Sequence, residues 1–231
     1  MGSIAINLQE VKRRLSAAAL EAGRSADSVT LLAVSKTFPA DAVRQAHAAG
    51  QRAFGENYVQ ESLAKIEALA DLRSALQWHL IGPLQSNKAR GVAAAFDWVH
   101  SVDRLKIAER LAEHRPASLP PLQVCLQVNI SGEASKSGLA VAEVLPVARA
   151  VVALGGDRLR LRGLMAIPEP AEGLADQRAP HRALFELRAE LNTHGLGLDT
   201  LSMGMSADLE AAVLEGATIL RVGSAIFGAR T

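Results

Sequence analysis

Lys36 directly follows the apolar run Val29-Thr30-Leu31-Leu32-Ala33-Val34-Ser35, and Pro39 opens the next segment. A lysine at the carboxyl edge of a buried strand is partly withdrawn from water, and desolvation favours its neutral amine. A neutral amine can attack an aldehyde carbon and form a Schiff base. The same position also suits a lysine whose stem packs on a rim while its ammonium reaches solvent. Position alone leaves both readings open.

A second constellation lies near the far end of the chain. Leu201-Ser202-Met203-Gly204-Met205-Ser206 leads into an alanine-rich segment, and Leu220-Arg221-Val222-Gly223-Ser224 follows soon after. Gly204 lets the backbone turn, and Ser206 is placed to cap the helix that follows. Amides at a helix start, with the positive end of its dipole, suit a phosphate. Gly223 allows close backbone approach just before the Ser224 hydroxyl. A plain cap and a tight turn would explain the same residues without a ligand, but as a group they point to a phosphorylated one. Arg221 alternates with Leu220 and Val222, so its guanidinium points inward if those two pack outward. In such a place it needs an acceptor, either a ligand or a structural ion pair.

Chemistry shared by positions 36 and 221 requires a scaffold that brings the two ends of the chain together. Short apolar runs at 29–35, 52–55, 77–82, 97–101, 122–130, 159–165, 200–203 and 218–222 alternate with helical spacing at 41–49, 58–69, 87–95, 103–113, 141–154, 181–194 and 207–215. Alternating β and α units imply a parallel sheet with right-handed crossovers. Eight units without a break in composition imply an α/β fold, a single (β/α)8 TIM-type barrel over residues 1–231; an open doubly wound sheet is the alternative. In such barrels the chemistry sits at the carboxyl ends of the strands, and the loops after strands seven and eight form a recurrent phosphate site.

Ahead of the first strand, Ile4, Leu8, Val11 and Leu15 repeat at three- and four-residue steps, and Gly23 is a suitable stop. Only residues 223–231 follow the eighth strand, so this extra N-terminal helix is expected to cover that part of the wall. Pro146 is expected to mark where the regular part of the 141–154 helix begins. Residues 167–180, with three prolines, are expected to form an irregular, mobile loop.

Composition narrows the function classes. Cys125 is the one cysteine, which excludes a disulfide framework, fits a reducing compartment and reads as a small buried hydrophobe. A net charge of +1 and 3% aromatics provide neither a basic field nor a stacking platform for nucleic acid. Nothing approaches the roughly 20 apolar residues of a membrane span. The first residues lack the basic start and apolar core of a signal peptide, and Ile6 stands where a myristoylation motif wants Ser or Thr. The expected location is the cytoplasm, and with no apolar stripe evident a monomer is expected.

Longer motifs carry a resemblance. Leu32-Ala33-Val34-Ser35-Lys36-Thr37, Phe54-Gly55-Glu56-Asn57-Tyr58-Val59-Gln60-Glu61 and Trp78-His79-Leu80-Ile81-Gly82-Pro83-Leu84-Gln85-Ser86-Asn87-Lys88 come first. Ser135-Lys136-Ser137-Gly138, Arg162-Gly163-Leu164-Met165-Ala166-Ile167-Pro168 and the two C-terminal motifs, the last extended through Phe227-Gly228, follow in order. From the first strand to the C-terminus these resemble the pyridoxal phosphate homeostasis protein family. Ser224 stands where many members carry Thr, which preserves the hydroxyl.

The resemblance implies the fold of the alanine racemase N-terminal domain, with pyridoxal 5′-phosphate (PLP) held as a Schiff base on Lys36. It implies that Ser206, Gly223 and Ser224 hold the phosphate, that Arg221 faces the pyridine nitrogen, and that Asn57 contacts the cofactor. A guanidinium in that place donates to the ring nitrogen and keeps it unprotonated, so the ring is a poorer electron sink than one paired with a carboxylate. The implied role is therefore to hold PLP for vitamin B6 and amino-acid homeostasis and to hand it to PLP-dependent apo-enzymes, with Lys136 as a second amine that could take it in transit. One alternative is a weak PLP-dependent amino-acid racemase. It needs a second base, which racemases take from a tyrosine delivered with an additional β-domain; here the only tyrosine is Tyr58, and His79 is the other candidate. Another is a Schiff-base aldolase acting on a phosphorylated sugar without a cofactor.

Overall fold

Side chains that alternate along each strand sort into two layers, and that sorting builds the barrel. Leu31, Ala33, Phe54, Trp78, Leu80, Val99, Leu164, Leu201, Leu220 and Val222 join the core shared with the helices, while Leu32, Val34, Ala53, Ile81, Trp98, Cys125, Met165 and Ile219 form a separate cluster. Period-two alternation puts the second group on the opposite face of the same strands, inside the ring.

The computed structural model describes residues 3–132 and 137–228. Its elements run α1 (Ile4–Glu21), β1 (Thr30–Val34), α2 (Ala40–Ala48), β2 (Ala53–Glu56), α3 (Val59–Ala68), β3 (Gln77–Leu80), α4 (Ala89–Ala95), β4 (Trp98–Val102) and α5 (Leu105–His114). They continue with β5 (Leu122–Gln127), α6 (Val141–Gly155), β6 (Leu159–Met165), α7 (Leu174–Thr193), β7 (Thr200–Ser202), α8 (Leu209–Leu214), β8 (Ile219–Val222) and α9 (Ser224–Phe227). The eight strands form a closed barrel in sequence order, all neighbours parallel, and β8 pairs with β1 to close it. The closing register sets Leu32 beside Arg221 and Ala33 beside Val222. The two ends of the sequence thereby meet at one rim.

The N-terminal helix does what its stripe implies. Leu8, Val11 and Leu15 are buried, and Gly23 (φ +66°) ends the helix as Gly23 N donates to Leu20 O and Arg24 N to Ala19 O. Asn7 Nδ2 donates to Ile226 O (2.9 Å), and Arg24, just past the helix, donates to Val213 O (3.0 Å) and Ala217 O (2.8 Å). Among the described residues the four-residue α9 alone follows β8, and α1 packs on α8 and α9 and fills that part of the wall.

Three local expectations are corrected. The α6 helix begins at Val141 and runs through Pro146, because Glu143 accepts from the Ala140 N–H (3.0 Å) at its start and Val144, Ala148 and Val151 bury its inner face. Residues 167–180 are not all loop: α7 starts at Leu174 and continues through Pro180, held by the buried stripe His181, Leu184, Leu187 and Leu191. Ser206 does not cap a helix, since α8 starts at Leu209 with Asp208 in the cap position. The Asp208 carboxylate accepts from Met205 N (2.7 Å) and pairs with His181 Nε2 (2.9 Å), which folds residues 205–208 into a turn of their own. Lys136 lies outside the described residues.

Candidate functional site

Ser35 extends the outward-facing set of β1, so the next residue, Lys36, falls on the interior side of the rim. Lys36, Asn57, Ser206, Arg221, Gly223 and Ser224 all line one cavity of about 530 Å³ at the carboxyl ends of the strands. Val34, Phe38, Ile81, Ile167 and Met205 supply its apolar wall. Four distant stretches of chain therefore converge on a single chamber.

Each polar group is set by local structure. The turn after β7 depends on Gly204, which has φ +87° and packs where a Cβ would lie 2.4 Å from Ala212 Cβ. That turn carries Ser206, whose hydroxyl is 3.4 Å from the Ser224 hydroxyl at the start of α9. Behind them, Arg14 of α1 donates to Ser206 O (3.2 Å) and pairs with Glu210 (2.8 Å). Asn57 follows β2, and its backbone lies against Gly82, where a Cβ would meet Asn57 O at 2.2 Å. Asn57 Oδ1 is buried and has no hydrogen-bond partner among the described residues. Phe38, beyond Lys36, stacks on Phe227 of α9 with ring centroids 5.1 Å apart.

Arg221 is 4% exposed, and its charge is met by neutral acceptors: Nη1 donates to Ser202 O (2.6 Å) and Ser202 Oγ (2.8 Å), Nη2 to Ala166 O (2.8 Å). Burial pushes its pKa down to about 10, which still leaves it charged at neutral pH. Below it a chain of hydrogen bonds descends the barrel interior. Ser202 Oγ is 2.7 Å from His100 Nδ1, His100 Nε2 is 2.9 Å from His79 Nδ1, and His79 Nε2 is 3.0 Å from Gln77 Oε1. Burial depresses the His79 pKa to about 3 and that of His100 well below its ordinary value, so both rings are neutral. This chain was not singled out in the sequence. The signal available was the inward phase of residues 77, 79, 98 and 100 on adjacent strands.

The candidate second bases stand elsewhere. His79 is 1% exposed inside the barrel beneath Arg221, Tyr58 is 52% exposed, and neither lines the cavity. Cys125 is buried, and its thiol is pushed up to about 12 by that burial, as suits a packing residue. Among the described residues no helix is long and apolar enough to cross a membrane.

Residues 6–231 match the family described as alanine racemase, N-terminal domain. A pyridoxal phosphate homeostasis protein of Pseudomonas aeruginosa is 62% identical over all of this chain and 97% of its own length. The protein of the same name from Escherichia coli K12 is 54% identical over all of this chain and 98% of its own. Among solved structures, PipY of Synechococcus elongatus with PLP bound superposes with a TM-score of 0.84 at 39% identity, covering 98% of this chain and all of PipY.

Proposed function

The chain belongs to the pyridoxal phosphate homeostasis protein family, built on the alanine racemase N-terminal domain, and from that premise we propose that it holds PLP as a Schiff base on Lys36. The role proposed for it is vitamin B6 and amino-acid homeostasis in the cytoplasm, with PLP-dependent apo-enzymes as recipients and no substrate turnover of its own. The observation that carries this reading is the convergence of an amine, two hydroxyls and a buried guanidinium on one cavity.

The residues present suit the cofactor. PLP supplies an aldehyde for an amine, and its dianionic phosphate and basic ring nitrogen both seek donors. Lys36 is the amine at the rim; the facing hydroxyls of Ser206 and Ser224, beside Gly223, are the donors for phosphate. Arg221, locked by Ser202 and Ala166, presents a positive donor to the ring nitrogen and does not give up its proton. The orphaned Asn57 Oδ1 is a polar atom that a ligand would satisfy. Phe38, Ile81 and Ile167 give the cavity an apolar wall against which the ring would pack. A carboxylate at the ring nitrogen would favour electron withdrawal; a guanidinium opposes it, which supports holding over turnover.

Titration of the purified protein with PLP tests this reading. The wild type should develop the visible absorbance of an imine, and Lys36→Ala should not. An identical band in Lys36→Ala would place the imine elsewhere and overturn the assignment.

A further inference from the structure

Lys36 is flanked by two residues that are both tied to one buried ionic cluster. Ser35 Oγ donates to Glu56 Oε1 (2.6 Å), and Ser35 O accepts from Lys65 Nζ (2.8 Å). Lys65 Nζ also donates to Glu56 Oε1 (2.7 Å) and Glu61 Oε1 (3.0 Å), so its three hydrogens meet three acceptors. The same Glu61 oxygen accepts from Thr37 N (2.7 Å), on the other side of Lys36. The Lys65 side chain is 4% exposed and that of Glu56 is fully buried. A buried ion cluster is poor value as a source of stability, because desolvation offsets most of its Coulomb gain.

Thr37 gives the cluster a second purpose. It has φ +68°, the only non-glycine residue in the left-handed region among those described. A β-branched residue there is strained and persists only where its surroundings hold it. The hydrogen bond from Thr37 N to Glu61 is such a hold, and it lies one residue beyond the proposed imine lysine.

We infer that Glu61 and Lys65 are positioning residues for Lys36, bracketing its backbone through Thr37 and Ser35 so that its amine stays on the cavity side. Glu56 anchors the bracket between β2 and α3. The inference rests on the Schiff-base reading of Lys36 but makes a separate claim: the amine's reach depends on a backbone held in strain from outside the cavity. Glu61 is the member to remove, since its side chain is 33% exposed and its loss leaves Lys65 paired with Glu56.

The experiment compares wild type, Glu61→Ala, Glu61→Gln and the double variant Glu61→Ala with Thr37→Gly. Two quantities are measured: the rate at which the visible imine band grows after PLP is added, and the affinity for inorganic phosphate, which reports the Ser206–Ser224 cup without needing Lys36. Glu61→Ala should form the imine roughly tenfold more slowly or worse, as small misplacements of reacting groups do, with phosphate affinity unchanged. Glu61→Gln keeps an oxygen for Thr37 N and should stay close to wild type. Glycine at position 37 takes φ +68° without strain, so the double variant should recover much of the lost rate. A wild-type rate in Glu61→Ala, a loss of phosphate binding in step with the imine, or no recovery in the double variant would each overturn the bracket. A wild type that forms no imine would instead remove the PLP reading itself.

Discussion

Arg221 is held in a fixed orientation by Ser202 and Ala166, and the hydrogen-bond chain beneath it has only one consistent direction. Gln77 Oε1 can only accept, so His79 carries its proton on Nε2 and accepts on Nδ1. His100 must then donate from Nε2 and accept on Nδ1 from the Ser202 hydroxyl, whose oxygen accepts from Arg221 Nη1. Every dipole in the chain turns its negative end toward the guanidinium, which favours the charge that Arg221 presents. The neutral state of the two histidines has a consequence for stability. An unfolded histidine titrates near ~6.5, whereas folded His79 titrates near about 3 and His100 well below the ordinary value. Between those limits the unfolded chain binds protons that the folded chain refuses, so stability falls as pH drops from ~6.5 toward 3. Urea midpoints should begin to decline just below pH ~6.5, before most carboxylates protonate. A midpoint that stays flat down to pH ~5 would contradict neutral, buried histidines.

At the scale of elements, the strands and their phase were legible because eight short apolar runs alternate with helical spacing, and inward Arg221 followed from outward Leu220 and Val222. The helix starts at Val141 and Leu174 were not, because local proline sterics point one way while the buried faces of α6 and α7 decide the other. The six candidate residues were read from short local motifs and from the family resemblance, and the fold brings all six to one cavity. The tie of the Glu56–Lys65–Glu61 cluster to Ser35 and Thr37 was not legible, since it needs α3 docked beside β1. Nor was the histidine chain, since its partners lie up to 102 positions apart and meet only once strand register is set. Tight packing between elements also fixes the site: the Asn57 turn rests on Gly82, with Ser101 Oγ donating to Gly82 O (2.6 Å) to hold the second turn in place. Gly82→Ala puts a methyl group into the Asn57 backbone and should cost about 1–3 kcal/mol, as overpacking does. The variant should also weaken PLP binding. Denaturant unfolding that matches the wild type would show that the two turns are not in such close contact.

Over the whole molecule, ring closure makes one chamber from residues that sequence separates by nearly the full chain. Strand β1 brings the lysine and β8 the guanidinium to one cavity, and α1 supports the far side by holding Ser206 through Arg14. A barrel suits this task because its strands all deliver their carboxyl ends to one rim. The direct test of that convergence is borohydride reduction of the PLP-loaded protein followed by peptide mapping with mass spectrometry. The expected result is a phosphopyridoxyl group on the peptide that contains Lys36. Label on other lysines, with Lys36 unmodified, would contradict the assignment.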